Sequence, residues 1–299
     1  MANEVRNASQ VVAALEHAGL DPSKLFPIGV RPPLPVYLRQ LWERRRFIWY
    51  DSRQRTATQN ARNLLGNAWL ILRPLIDAAF YFLIFGVLLP RVADGVDNFP
   101  AFVIIGVLMF RATASALGGG ANLMQNNRSM IRAFNFPRAS IPIASTVRSA
   151  MTATFTMVAM CVAIWIAPPF APPNLMWLLL VPIFALQMLM NLGIAFITAR
   201  IGFHFPDMGN VLSVLSRFLM YGSGVIFPIE RFINHDGIRE IVMLNPVFRI
   251  IDMARTALID GQVPGLDSWL IVIAWTLLVL VGGFLYFWRG EELYGRELR

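Results

Sequence analysis

The sequence has a single lysine, Lys24, in 299 residues. It has one cysteine, Cys161, and three histidines, His17, His204 and His235. Each scarcity excludes something. One cysteine rules out a disulfide framework. The scattered histidines have no metal-ligand spacing, so no metal or other cofactor is expected on this chain. A phosphate-cradling loop needs a glycine-rich backbone and a lysine. Lys24 follows Asp21-Pro22-Ser23 with no glycine cradle, so ATP hydrolysis by that route is excluded. No aspartate-rich pair marks a magnesium–diphosphate site, and no catalytic constellation emerges. Met1 to Leu34 has no apolar core, which argues against a cleavable signal peptide.

What the chain has in quantity is apolar sequence. At 56% hydrophobic residues, it leaves no room for a separate soluble catalytic domain. Six long apolar runs cover about 68–90, 99–120, 139–167, 174–199, 208–228 and 268–288. About 20 helical residues cross a hydrocarbon core of roughly 30 Å, so each run is long enough to span. Helices satisfy their own backbone groups in lipid, which predicts an all-α membrane protein with six spans. Arginines crowd the segment before the first run and the loop holding Arg128, Arg132 and Arg138. Acids exceed bases between the fifth and sixth runs. Arginine excess marks the cytoplasmic side, so both termini are expected in the cytoplasm of a bacterial inner-membrane protein. The net charge of +8 then reads as arginine beside anionic lipid rather than a nucleic-acid surface.

Three regions follow. Residues 1–35 form a polar, proline-broken tail with a short helix expected over Gln10–Ala18. Residues 36–62 read as an amphipathic interfacial helix. Tyr37, Leu41, Arg45 and Ile48 fall on one stripe, flanked by Leu38, Trp42 and Trp49. Such a helix is either a surface anchor or a gate for a lipid-attached substrate. Residues 66–299 form the membrane domain. Within it, Arg128, Met130, Ile131, Arg132, Phe134, Phe136 and Arg138 mix bases with large apolar groups on a short loop, the composition of a docking surface. The alternative there is a helix lying on the membrane. Before the sixth run, Val247, Ile250, Ile251, Ala254 and Leu258 have helical spacing on a segment too short to span. It fits either a re-entrant pair of external helices or an external cap.

Asp77, Arg111, Arg148 and Arg217 fall inside the expected spans. Intramembrane charges are costly and face a bundle interior or an aqueous cavity. One aspartate neutralises at most one arginine. The surplus suits an anionic group such as a diphosphate, with Arg73 meeting it nearer the membrane surface. Ser140, Ser145, Thr146, Ser149, Thr152, Thr154 and Thr156 make the third run polar, for packing or as a lumen wall. Phe110, Phe196, Phe218 and Tyr221 could stack on sugars, although packing is the plainer role for each.

Four stretches resemble the permease subunit of type-2 ABC exporters of cell-surface polysaccharide, the Wzm or TarG group. Leu65-Gly66-Asn67-Ala68-Trp69 through Arg73-Pro74-Leu75 resembles that family's first span. Phe136-Pro137-Arg138 resembles the end of its first coupling helix. Phe203 to Leu212, with Phe205 and Asp207, resembles its second cytoplasmic contact, although Pro206 stands where the family often has arginine. Leu244-Asn245-Pro246, Arg255 and Gly261 resemble its external segment. The resemblance covers Val36 to Trp288. It implies a homodimer with two cytoplasmic ABC ATPase subunits that bind ATP and Mg, and a polyprenyl-diphosphate-linked glycan (O-antigen, teichoic acid or galactan) as substrate. The scarcity of lysine suits a GC-rich genome and makes a cell-wall galactan the expected cargo. A small-molecule or lipid ABC exporter, or a membrane enzyme of polyprenyl-phosphate metabolism, are the alternatives.

Overall fold

The computed structural model describes residues 32–58, 65–84, 98–134, 136–166, 172–228 and 236–296. The helix expected over Gln10–Ala18 and the far part of the first apolar run lie outside the described residues. The described elements are helices: α1 (Leu34–Glu43), α2 (Arg45–Thr58), α3 (Trp69–Phe82), α4 (Phe99–Ala121), α5 (Leu123–Asn126), α6 (Arg128–Ala133) and α7 (Ser140–Ile166). Next come α8 (Leu180–His204), α9 (Met208–Gly222), α10 (Asp236–Leu244), α11 (Pro246–Leu258), α12 (Leu266–Arg289) and α13 (Glu291–Arg296).

Four of these segments are long and apolar enough to cross a membrane: Phe99–Ala121, Ser140–Ile166, Leu175–His204 and Leu266–Arg289. They match the second, third, fourth and sixth expected runs. The other two expected spans are shorter among the described residues. The α3 helix has 14 residues and α9 has 15, about 21–22 Å at roughly 1.5 Å per residue. The α9 helix stops at Ser223, and Gly224 then takes a left-handed φ of 57° that turns the chain. The apolar run continues past this turn, which is why hydropathy alone overextends it.

Helices α8 and α12 pack most intimately. A Cβ on Gly193 would stand 2.5 Å from the carbonyl oxygen of Val279, and one on Gly283 would stand 2.5 Å from the carbonyl oxygen of Gly193. Small residues let two backbones approach where lipid supplies no hydrophobic drive between helices. One buried cluster joins α4, α7, α8 and α11, with Ile105, Met109, Met160, Ile183 and Ile251 at its centre. A second lies at the arginine-rich end. There Tyr37, Phe196, Phe203, Phe287 and Tyr294 pack with Met124, Ile131 and Phe136.

Neither α10 nor α11 is long enough to span, at 9 and 13 residues. Asn245 caps α11 by accepting from the Val247 N–H at 2.9 Å, and Pro246 occupies its first turn. Buried Arg255 fastens α11 to its neighbours. It donates to the carbonyls of Gly224 (2.9 Å), Val225 (2.9 Å) and Phe102 (3.1 Å), and its guanidinium lies 3.3 Å from the Phe102 ring centroid. Gly106 leaves the room this needs, since a Cβ there would come within 2.6 Å of Arg255 Nη2.

Candidate functional site: an arginine-lined cavity and the segments around it

A cavity of about 880 Å³ opens between α2, α3, α4 and α7. Its volume falls within the roughly 300–1,000 Å³ usual for ligand sites. The α7 helix contributes Ser145, Arg148, Ser149, Thr152 and Thr156, whose three- and four-residue spacing places them on one face. The α3 helix contributes Trp69 and Arg73, α4 contributes Arg111 and Ser115, and α2 contributes Arg55. Three of the arginines marked in the sequence thus meet in one place. Arg55 was legible only as one of many arginines flanking the first span, and neither Arg55 nor its partner Asp51 was expected here.

The charges are only partly matched. Arg111 pairs with Asp77, each side chain a little over one-third exposed. Arg148 approaches Asp51 at 3.4 Å, and Asp51 also accepts from Arg55 at 2.9 Å. Among the described residues, four guanidinium groups on the walls face two carboxylates, an excess of two positive charges. Arginine presents several N–H donors in a fixed fork, suited to bidentate binding of phosphate. The hydroxyls supply neutral hydrogen-bonding capacity on the adjoining wall.

Arg217 and Tyr221 stand apart from this cavity. Both lie on the exposed side of α9, with Val214, Leu215 and Phe218. Phe110 and Phe196 are 5% and 2% exposed and belong to the core, so they have no free face for a sugar.

The interfacial helix is broken in two at Arg44. Tyr37, Leu41 and Ile48 are buried against the rest of the protein rather than turned outward, whereas Leu38, Trp42 and Trp49 are exposed. Arg45 does not share the buried stripe. The chain bends at Arg44, and the Arg45 guanidinium turns out to lie 4.6 Å from the Trp42 ring centroid. Beyond the bend, α2 lies along α7, where the hydroxyl of fully buried Ser52 donates to the Ala144 carbonyl at 3.1 Å.

The expected docking loop is also sorted by the structure. Arg128 and Arg132 are exposed on α6, and Phe134 is 66% exposed just after it. Met130 is half-buried. Ile131 and Phe136, expected at the surface, are buried instead. Ile131 belongs to the aromatic-rich cluster, as do Leu123 and Met124, and Phe136 lies beneath the Arg44 guanidinium at 5.9 Å. The α8–α9 turn presents exposed Phe205 and Asp207. The helices that lead into the two segments are tied together, since Gln125 Nε2 of α5 donates to the Gly202 carbonyl of α8 at 3.3 Å. Arg138, at the end of the loop, points inward to Glu291.

The model of the ABC-2 type transporter family matches residues 53–259, more than half of the chain. The chain belongs to the ABC-2 type transporter family. Similar proteins include the O-antigen export system permease protein RfbA of Myxococcus xanthus, 20% identical over 79% of this chain and 89% of that protein. The polysialic acid transport protein KpsM of Escherichia coli is 25% identical over 76% of this chain and 87% of its own length. The capsule polysaccharide export inner-membrane protein CtrC of Neisseria meningitidis is 22% identical over 82% and 92%. The matched residues include every side chain that lines the arginine cavity of this ABC-2 transporter.

Proposed function

We propose that this chain is the permease subunit of an ATP-driven exporter that carries a phosphate-linked polysaccharide out across the inner membrane. The observation that carries this reading is the arginine cavity. Its two excess positive charges balance a polyprenyl-diphosphate diester, which bears one negative charge on each phosphoryl group. The hydroxyl-lined α7 wall would receive the first sugar, and the exposed apolar face of α3, with Leu72, Ile76 and Phe80, would lie along the prenyl chain. The named relatives all handle surface polysaccharides, which supports a glycan over a drug-like substrate. A cell-wall galactan rests on the lysine-poor composition and is the finer form of the proposal.

In this reading both termini are cytoplasmic, α3 and α9 complete a six-span domain, and α10–α11 form a re-entrant pair near the exit. Two copies form the channel, with Arg217 and Tyr221 of α9 facing it. Two cytoplasmic ABC ATPases supply ATP and Mg, docking on Arg128, Arg132, Phe134, Phe205 and Asp207. Trp42, Arg45 and Trp49 of the bent helix sit at the headgroups, where a lipid-linked substrate would enter. The test is purification in mild detergent with chromosomally adjacent genes coexpressed. A stoichiometric ATPase, stimulated by polyprenyl-diphosphate glycan, is expected. A chain that purifies alone and turns over polyprenyl phosphates would instead be an enzyme. Stimulation by small amphiphiles but not by glycan lipid would favour a small-molecule exporter.

A further inference from the structure

Three segments far apart in sequence converge on one buried carboxylate. Glu291 opens α13 and is 1% exposed. One of its oxygens, Oε2, accepts from the Tyr37 hydroxyl of α1 at 2.7 Å. The other, Oε1, accepts from the Arg138 backbone N–H at 2.9 Å and from Arg138 Nη1 at 3.4 Å. Tyr37 is itself 0% exposed, and its hydroxyl oxygen accepts from the Ala139 N–H at 3.0 Å. The four bonds close a ring through Tyr37, Glu291, Arg138 and Ala139. Around it, the rings of Tyr37, Phe284, Phe196, Phe287 and Tyr294 form a chain with centroid separations of 4.7–6.2 Å.

A buried carboxylate is an expensive way to hold a helix end, because apolar packing would fill the same space without the desolvation cost. What the carboxylate adds is direction. It bonds Tyr37 and Arg138 simultaneously, so neither can shift without breaking a charged hydrogen bond inside a low-dielectric cluster. Arg138 ends the Arg128–Arg138 segment, and Ala139 joins it to α7. Tyr37 lies on α1, which continues through the bend at Arg44 into α2. Helix α2 carries Asp51 and Arg55, and these reach the arginine cavity, where Asp51 also meets Arg148. Contacts therefore lead from Arg138, at the end of the docking segment, to the cavity wall without passing through a span.

We propose that Glu291 is the positioning residue through which displacement of the Arg128–Arg138 segment reaches the arginine cavity, by way of Tyr37 and the α1–α2 arm. This rests on the reading of that segment as the contact for a partner ATPase. When the ATPase pair closes and moves the segment, the joint draws α1 with it, and α2 moves Asp51 and Arg55 relative to Arg148. Cavity electrostatics would then change in step with nucleotide state.

The test uses the full chain with its ATPase in lipid nanodiscs and proteoliposomes. Cys161→Ser removes the native thiol, and spin labels go on exposed positions of α2 (Gln54→Cys) and α12 (Leu278→Cys). The wild-type joint should give an ATP-dependent change in the distance between the labels. Glu291→Ala should abolish that change and lower glycan exported per ATP hydrolysed about tenfold or more, the scale of one lost hydrogen bond to a buried charge. Tyr37→Phe keeps the ring and its packing and removes only the hydroxyl. It should produce the same loss of the distance change, which keeps the proposal falsifiable if Glu291→Ala fails to assemble. An assembled Tyr37→Phe complex with the wild-type distance change and wild-type export per ATP overturns the relay alone. A wild-type complex with no ATP-dependent change at all overturns the relay together with the ATPase-contact reading.

Discussion

Arg148→Gln should weaken substrate binding while leaving the fold intact, and the two halves of that statement come from different contacts. The ion pair of Arg148 with Asp51 is long, at 3.4 Å, and both side chains are 25% exposed. Removing Arg148 does not strand Asp51, because Arg55 still donates to it at 2.9 Å. The stability loss should therefore stay near the 0–1 kcal/mol typical of solvent-screened pairs. A lost charged hydrogen bond to a phosphate oxygen is worth about 1.5–3 kcal/mol. That corresponds to roughly a 10- to 150-fold rise in the glycan-lipid concentration giving half-maximal ATPase stimulation. Arg111→Gln makes the contrast. Asp77 has no second partner recorded among the described residues, so this change leaves a carboxylate unpaired between α3 and α4. Its cost should exceed that of Arg148→Gln but fall short of the about 3–5 kcal/mol of a fully buried pair, because the side chains are over one-third exposed. The assay is stimulated ATPase across a substrate titration, with thermal unfolding in the same detergent. Unchanged half-saturation in Arg148→Gln, with normal assembly, would refute the assignment of the cavity to a phosphate group.

Further outcomes are expected at sites away from the cavity. Arg255→Met should lower the thermal unfolding temperature, because the Gly224 and Val225 carbonyls each lose their donor, at about 1–3 kcal/mol apiece before the gain from burying methionine; an unchanged temperature would show that the guanidinium is replaceable packing. Phe134→Ala or Arg132→Glu should weaken coupling, measured as glycan exported per ATP, and normal export in both assembled variants would remove α6 from the ATPase contact. Glu291 supplies a pH test. Burial raises its carboxyl above the ordinary glutamate value, and the donors from Arg138 and Tyr37 pull it part of the way back. A raised folded value means this group contributes most below its unfolded pKa, about 4.3, and the contribution fades as pH rises through the folded value. Glu291→Gln should therefore gain in unfolding temperature relative to wild type between about pH 4 and pH 7; a falling difference would mean the donors outweigh burial.

How much of this was legible in the residues depends on the range of the contacts. The four long spans were readable because apolar runs of that length have few other uses. The early end of α9 was signalled by Gly222-Ser223-Gly224, a flexible triplet that mean hydropathy passes over. Asn245, Pro246 and Arg255 could be noticed as a pattern, yet their tasks appear only once the Phe102 and Gly224 carbonyls are seen beside them. Mid-span arginines pointed to a polar cavity; Arg111 and Arg148 line one together with Arg73, whereas Arg217 stands apart from it. Arg55 did not stand out, because a surface arginine and a wall arginine look alike in sequence. Ile131 and Phe136 were misplaced outward because a short loop has too little periodicity to show which face turns in. Glu291 was invisible, since its partners lie 153 and 254 residues away and no local rule links them.

The central claim is that this chain moves a phosphate-linked glycan lipid outward through the arginine cavity, driven by a partner. Its most direct test is ATP-dependent transfer of a fluorescently tagged polyprenyl-diphosphate glycan in proteoliposomes containing the purified complex. The account predicts transfer that requires ATP and falls steeply in the Arg73→Gln, Arg148→Gln double variant. Transfer that is equal in wild type and an assembled double variant, or that proceeds without ATP, would contradict it.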